Sequence, residues 1–309
     1  MSRRVRPAGF AFHRRAAAGG FPVKNKLALQ TVFLTPAMVV LAILALVPTV
    51  YAIVISFQDR ELSRPDGRFI GFANYISLFS DRRFLNSIQV SLTWEVLTVT
   101  ATLVIAVGLG ILLFECASPR ARNVLSLLFL MPVILPRVSA AFVWKFAFHP
   151  LYGIITYPYK AITGQPLDLL SSPLTALGTV ALVDVWQWGL FFSVIVLKLL
   201  ETLPPQPFEA ARLDHARTWE VYAYVALPML KAPLISLAFV KMIESLRAFD
   251  LIYVMTRGGP GISTETLDMY AFSQGFIESG RISYASSMAV LMMIATSVAF
   301  TFIWKRAKV

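Results

Sequence analysis

The stretch LQTVFLTPAMVVLAILALVPTVYAIVISF, Leu29 to Phe57, contains no charged residue. A helix needs roughly 20 predominantly apolar residues to cross the hydrocarbon core of a bilayer, so this run is long enough to span. Five further runs follow: Ser87–Phe114, Val124–Phe148, Leu174–Leu200, Ala232–Phe249 and Tyr284–Trp304. Helices of soluble cores are usually shorter, and base rates do not place six such runs in a chain of 309 residues. The expectation is an all-α polytopic membrane protein with six transmembrane helices. One membrane domain covers 29–304, between a basic tail (1–28) and a short tail (305–309), with no soluble catalytic domain. The first run is read as a span and not a removable signal peptide. It follows a long tail and far exceeds the roughly 7–15 residues of a signal-peptide apolar region.

The composition agrees: 57% of residues are hydrophobic, 15% are charged, and the formal net charge is +11. Disorder is excluded by the apolar content. A disulfide-stapled module is excluded because Cys116 is the only cysteine. A charge of +11 suits nucleic acid as well as membranes, so its placement decides. Lys and Arg accumulate on the cytoplasmic side of membrane proteins. The first tail carries Arg3, Arg4, Arg6, Arg14, Arg15, Lys24 and Lys26 and no acid. With the loops after spans two and four and the last tail, that face holds 15 basic residues against five acids. The opposite face holds eight against nine. Both termini are therefore expected inside (N-in/C-in), with Cys116 a free thiol in a reducing compartment. The charge is a topology signal, and no nucleic-acid partner is expected.

Chemistry-bearing motifs are missing. There is no Gly-Lys pair for a Walker A phosphate loop. His13, His149 and His215 lie in separate regions, and one cysteine cannot assemble a zinc or iron site. No H-E-x-x-H or G-x-S-x-G occurs. No catalytic residue, metal site or bound cofactor is expected on this chain. Six spans without a visible repeat would also be small for a standalone carrier.

The loop between spans four and five, about 201–231, is unlike a plain connector. It reads Pro204-Pro205-Gln206-Pro207-Phe208, then Glu209-Ala210-Ala211-Arg212-Leu213-Asp214-His215-Ala216, and later Leu227-Pro228. Prolines fix where helices can start. A short Ala-rich helix is expected, then a second beginning near Thr218 as N-cap. Phe208, Ala211, Leu213, Trp219, Tyr222, Val225 and Leu227 give these helices an apolar side, suited to a partner's groove or to the membrane surface.

Glu209-Ala210-Ala211, with Asp214, Ala216 and Leu227-Pro228 at their spacing, resembles the "EAA" loop of ABC importer permeases. Phe249-Asp250-Leu251-Ile252-Tyr253-Val254-Met255-Thr256-Arg257-Gly258-Gly259-Pro260 resembles the FD-x-IY-x-x-T-x-GGP signature of the carbohydrate-uptake branch. Phe72-Ala73-Asn74-Tyr75 with Leu78-Phe79 and Asp81, and Tyr284-Ala285-Ser286-Ser287, are similar to further segments of that branch. The resemblance covers roughly 29–304 and points to the maltose- and glycerol-3-phosphate-type permease, a type I ABC importer fold with cytoplasmic EAA coupling helices. It implies a multi-pass protein of the bacterial inner membrane that imports a sugar or oligosaccharide. It also implies its partners: a second, different permease forming a heterodimer, two ATPase subunits that hold ATP and Mg, and a periplasmic solute-binding protein. Phe208, Glu209, Ala210, Ala211, Leu213, Asp214 and His215 are then the ATPase-coupling residues. His215 stands where the family usually has Gly, which takes a positive-φ turn there; His visits that region more often than most other residues.

Ionisable groups at membrane depth are costly and tend to be functional. Arg137, Lys145, Lys198, Lys241, Arg247, Glu95, Asp184 and Glu244 fall inside the spans. Asp184, Gln187, Trp188 and Phe191 follow helical spacing on span four, and Lys241, Glu244 and Ser245 on span five with Arg247 flanking. The resemblance places sugar-lining residues on these stretches, so Asp184, Gln187, Trp188, Phe191, Glu244, Ser245 and Arg247 are the candidate substrate path. Two alternatives stay open: Lys241–Glu244–Arg247 as a self-neutralising structural cluster, and an anionic saccharide or glycerol phosphate as solute. An ATP-independent carrier or channel is the competing class.

Overall fold

The structure is a computed structural model that describes residues 23–307. Residues 1–22 of the expected basic tail and 308–309 of the last tail lie outside them. The chain divides into two units, Met1–Tyr51 and Ala52–Val309. In the first, the described residues belong to α1 (Val23–Ser56), which carries Pro36 and Pro48. Thr35 and Thr49 donate their hydroxyls to the carbonyls of Thr31 (2.5 Å) and Ala45 (2.7 Å), so neither is an unpaired donor in an apolar helix.

The second unit begins at the end of α1 and continues through a hairpin, β1 (Gln58–Glu61) and β2 (Arg64–Phe69), with Gln58 opposite Phe69 and Asp59 opposite Arg68. Next come α2 (Ala73–Ser80), α3 (Arg82–Cys116), α4 (Pro119–Ile134) and α5 (Arg137–Ala147). They are followed by α6 (Tyr157–Thr163), α7 (Ala176–Glu201) and α8 (Gln206–Leu213). A single rod is made of α9 (Thr218–Val221), a π-helical turn (Tyr222–Ala226) and α10 (Leu227–Met229). The chain closes with α11 (Lys231–Ser245), α12 (Phe249–Met255), α13 (Leu267–Phe272) and α14 (Ile282–Ala307).

Among the described residues four helices are long and apolar enough to cross a membrane: Thr31–Ser56, Arg82–Cys116, Ala176–Glu201 and Ile282–Phe302. The third and fifth expected spans are not straight. The third is the pair Pro119–Ile134 and Arg137–Ala147, bent by 97°. Pro136 lies at the break; it has no N–H to continue the ladder, and its ring disfavours helix in Leu135 before it. For the fifth run, Lys231–Ser245 is bent by 75° from Thr218–Met229. Its 15 residues reach about 22 Å, short of a hydrocarbon core of about 30 Å. The run ends in a break at 246–248, before α12.

Close packing of α3 on α7 rests on small residues. A Cβ on Gly110 would lie 2.7 Å from Val196 Cγ1, and one on Gly189 would lie 3.2 Å from Ile105. One end of α3 is fixed by Asp81, which accepts N–H groups from Arg83 (2.9 Å) and Phe84 (3.4 Å) as an N-cap. The Asn74 amide donates to the carbonyls of Ser56 and Gln58, both at 2.9 Å, and the Tyr75 and Ser56 hydroxyls pair at 2.7 Å. This part of the Phe-Ala-Asn-Tyr motif therefore does local structural work.

Asp81 also joins distant segments, accepting the hydroxyls of Tyr270 (2.5 Å) and Tyr284 (2.7 Å). Arg83 beside it binds Glu265 and Glu278, each at 2.7 Å. Burial pushes the Asp81 carboxyl up, but the tyrosine and backbone donors outweigh it and hold it below its usual range. The hydrogen bonds from Arg83 hold Glu278 down against the opposing effect of burial. Groups depressed on folding stabilise above their unfolded pKa, about 4, and lose that contribution as pH falls through the folded value. Thermal unfolding in detergent should therefore steepen with acid below about pH 4. In Asp81→Asn the slope should flatten; a slope identical to the parent's would refute the role of Asp81.

Candidate functional site

Two groups of candidate residues lie along α7, one at its C-terminal end and one nearer its N-terminal half. At its C-terminal end, the chain turns through Pro204-Pro205 into α8. The helix closes in a Schellman arrangement: Ala216 N–H donates to Ala211 O (3.0 Å) and His215 N–H to Arg212 O (3.1 Å). His215 occupies the left-handed position, with φ of 56°, that glycine usually fills. A non-glycine residue is strained there by roughly 1 kcal/mol, so His215→Gly should raise stability by about that amount. His215→Val should lower it, because a β-branched residue tolerates that region worse. If thermal unfolding ranked Val with Gly, the turn would not matter to the loop.

Thr218 is the first helical residue, not the N-cap; Arg217 precedes it, and the Glu220 carboxylate accepts the Arg217 N–H at 2.7 Å. The expected apolar side divides in two. Phe208 packs into a cluster with Phe192, Val196, Leu200, Tyr222, Ala226 and Leu230, and Ala211 is half-buried. Leu213 is 80% exposed, and Glu209, Ala210, Asp214 and His215 are exposed around it. Phe208 thus anchors the helix to its own chain, and Glu209 with Leu213 forms the outward edge. The second rod is held by Tyr222, whose hydroxyl donates to Glu115 at the end of α3 (2.5 Å). Arg122 bridges the start of α4 to Glu201 at 3.5 Å.

The second group surrounds Asp184, fully buried in the N-terminal third of α7. One carboxylate oxygen takes Lys241 Nζ at 2.5 Å, and the other takes the Arg137 guanidinium at 2.5 Å. Arg137 also lies 3.7 Å from Glu244 and donates to the carbonyl of Arg247. Lys241 is fully buried, 5.7 Å above the ring of Trp188. Neutralisation therefore runs between helices. The ion pairs of Lys241 and Glu244 are with Asp184 and Arg137 on other helices, where the self-neutralising reading would have paired them along α11.

Gln187 has a different partner set. Its amide donates to the carbonyls of Pro132 (3.0 Å) and Leu135 (2.8 Å), at the bend between α4 and α5. Trp94 Nε1 donates to the Ser245 carbonyl (3.0 Å), and Arg137 serves that of Arg247, at the break after α11. In hydrocarbon a freed carbonyl has no water, so broken helices persist only where side chains satisfy them. The Ser245 hydroxyl donates to Glu95. Trp188 and Phe191 are half-buried, with rings 5.9 Å apart, and Arg247 is exposed. Arg137, Trp94 and Glu95 were missed as members of this centre. Arg137 had a signal, a charge next to a proline inside an apolar run; Trp94 had none.

The match to known proteins follows this geometry. Residues 102–307 match the family described as "Binding-protein-dependent transport system inner membrane component". The chain belongs to that family. It is 30% identical over 279 residues to the sulfoquinovosyl glycerol transport system permease protein SmoG of Agrobacterium fabrum, covering 90% of this chain and 89% of the relative. It is 26% identical over 276 residues to the trehalose/maltose transport system permease protein MalF of Thermococcus litoralis, covering 89% and 92%. The fold is similar to that of a bacterial ABC transporter involved in the import of the acidic polysaccharide alginate. That match has a TM-score of 0.80 and 18% identity, and covers 93% of this chain and 96% of the other. The permease is thus a membrane component of an ABC importer that works with a solute-binding protein, and ATP hydrolysis belongs to a separate subunit.

Proposed function

We propose that this permease forms one half of a sugar-conducting pore in the bacterial inner membrane. Each bent pair counts as one span, giving six, with both termini in the cytoplasm. A second, different permease completes the pore. Two ATPase subunits carry ATP and Mg and seize the α8 edge, and a periplasmic binding protein delivers the solute. The observation that carries this reading is the coupling loop: α8 starts at the prolines, is closed at its C-terminus and is anchored by Phe208, yet presents Glu209 and Leu213 outward. A stiff, anchored helix with an unoccupied edge can transmit a push. The sugar assignment rests on the names of the relatives. Along the path, Trp188 and Phe191 offer faces for sugar C–H surfaces, with Glu244 and Arg247 for hydroxyls. Asp184, Gln187 and Ser245 hold the pathway's shape from behind.

Affinity purification of the tagged permease should bring down an ATPase and a second permease. Reconstituted in vesicles, the complex should import sugar only with ATP and loaded binding protein. Uptake by the purified chain alone, without ATP, would overturn the proposal.

A further inference from the structure

The coupling loop meets the rest of the chain in two ways. Phe208 packs it into an apolar cluster, and apolar packing has no preferred direction. The second contact is directional. Tyr222, 5% exposed, donates its hydroxyl to Glu115 Oε1 at 2.5 Å. Glu115 stands on the last turn of α3 and is exposed. Among the described residues, no other side-chain hydrogen bond or ion pair leaves the rod of α9, the π-helical turn and α10 for another element.

The local sequence explains where Tyr222 stands. Pro228 has no N–H for the carbonyl of Tyr224, four residues back, and its ring would clash with that carbonyl. The helix widens instead. Leu227 N–H reaches back five residues to Tyr222 O, which closes the π-helical turn that Tyr222 opens. Such turns are frequent at functional sites. The tyrosine ring is held in the cluster with Phe192, Val196 and Leu200. Burial and the Glu115 acceptor both push the hydroxyl's pKa up, which keeps it a donor near neutral pH. A carboxylate acceptor makes the bond a charge-assisted one.

The end of α3 is itself braced. Arg122, in the first turn of α4, donates to the carbonyls of Phe114 and of Ala117 (3.0 Å). The same guanidinium lies 3.5 Å from Glu201 at the end of α7. Further along, Gly110 of α3 lies against Val196 of α7 with no room for a larger side chain. A displacement applied at Glu115 therefore carries α7 with it, and α7 holds Asp184, Trp188 and Phe191.

We propose that Tyr222 and Glu115 form the joint through which movement of α8 passes to α3 and, with α3, to α7. They are positioning residues and touch neither solute nor ATP. The inference rests on the importer reading and names the inner half of its coupling route.

The test uses the complex of permeases and ATPases in vesicles, with loaded binding protein and with radiolabelled maltose and trehalose as probes. The readout is sugar imported per ATP hydrolysed on adding the loaded binding protein, a ratio that a mere loss of folded protein does not move. Tyr222→Phe keeps the ring in its cluster and removes the hydroxyl. Its ratio should fall about fivefold, the low end of usual coupling between sites. Glu115→Leu, at an exposed position, should match it. Glu115→Gln keeps an oxygen for the tyrosine and should keep most of the ratio. Tyr222→Phe combined with Glu115→Leu should be no worse than either alone, because partners in one bond are not additive. A ratio unchanged in Tyr222→Phe would overturn the inference. So would losses that multiply in the double variant, or a Glu115→Gln as poor as Glu115→Leu. Failure of the importer reading is read separately on the unmutated complex, as sugar uptake that does not depend on ATP or as no uptake at all.

Discussion

Replacing Asp184 with alanine is expected to destabilise the permease by about 3–5 kcal/mol, the usual cost of removing one partner from a buried ion pair. Lys241 is fully buried and Asp184 is its ion-pair partner. Arg137 would keep one carboxylate, Glu244 at 3.7 Å, besides the Arg247 carbonyl. Two cations would then share a site with little to neutralise them, near the bend of α4–α5 and the break after α11. The loss should be visible as a lower thermal midpoint in detergent and a smaller yield of membrane-inserted protein. The charge balance can be tested apart from the cavity. Asp184→Leu with Lys241→Met removes both ions at similar volume, and apolar replacement of a buried pair is often neutral or better. The double variant should recover much of the loss, though Arg137 still needs an anion and will limit the recovery. A melting profile of Asp184→Ala matching the unmutated protein would sink this account.

Glu209→Lys should have the opposite profile, full stability with lost function. Glu209 is exposed in the first turn of α8. Its substitution lies away from the core, so the effect on stability should stay within about 0.5 kcal/mol. A carboxylate in the first helical turn is favoured by the helix dipole, and a lysine in its place costs only about a few tenths of a kcal/mol. At the proposed interface the change reverses the charge presented to the ATPase. Like charges brought together across an interface cost several kcal/mol. ATP-driven uptake in vesicles should therefore fall by at least tenfold, along with the stimulation of ATP hydrolysis by loaded binding protein. Leu213→Asp tests the apolar half of the same edge and should act in the same direction. If uptake and ATP hydrolysis were both untouched by Glu209→Lys, coupling through α8 would be the wrong mechanism.

Much of the architecture was legible because lipid reads hydropathy along the chain. The runs at Ser87–Phe114, Leu174–Leu200 and Tyr284–Trp304 became α3, α7 and α14; α3 and α14 extend past both expected ends, while α7 starts two residues later, at Ala176. The left-handed turn at His215 was implied by the resemblance to the EAA loop, in which Gly usually stands there. The two runs that broke, at Pro136 and after Ser245, look continuous to any measure of apolarity. A proline inside an apolar run does not reveal whether the helix kinks or bends by 97°. That depends on whether neighbours can satisfy the freed carbonyls, and Gln187, Trp94 and Arg137 come from three other segments to do so.

The division of polar residues was decided the same way. Helical spacing put Asp184, Gln187, Trp188 and Phe191 on one face, and that much is a property of the local sequence. It could not say that Asp184 and Gln187 would be buried against α4, α5 and α11 while Trp188 and Phe191 stayed half-open. Nor could it say that Phe208 would turn inward and leave Glu209 and Leu213 outside. The sequence by itself determined a helical membrane protein, its long spans and the position of the coupling loop, because these depend on hydropathy, charge and turn chemistry along the chain. The tertiary structure alone decided which charge meets which counter-charge and which break meets which donor. Those pairings join residues as far apart as Trp94 and Ser245, and a low-dielectric interior makes each one costly to leave unmade.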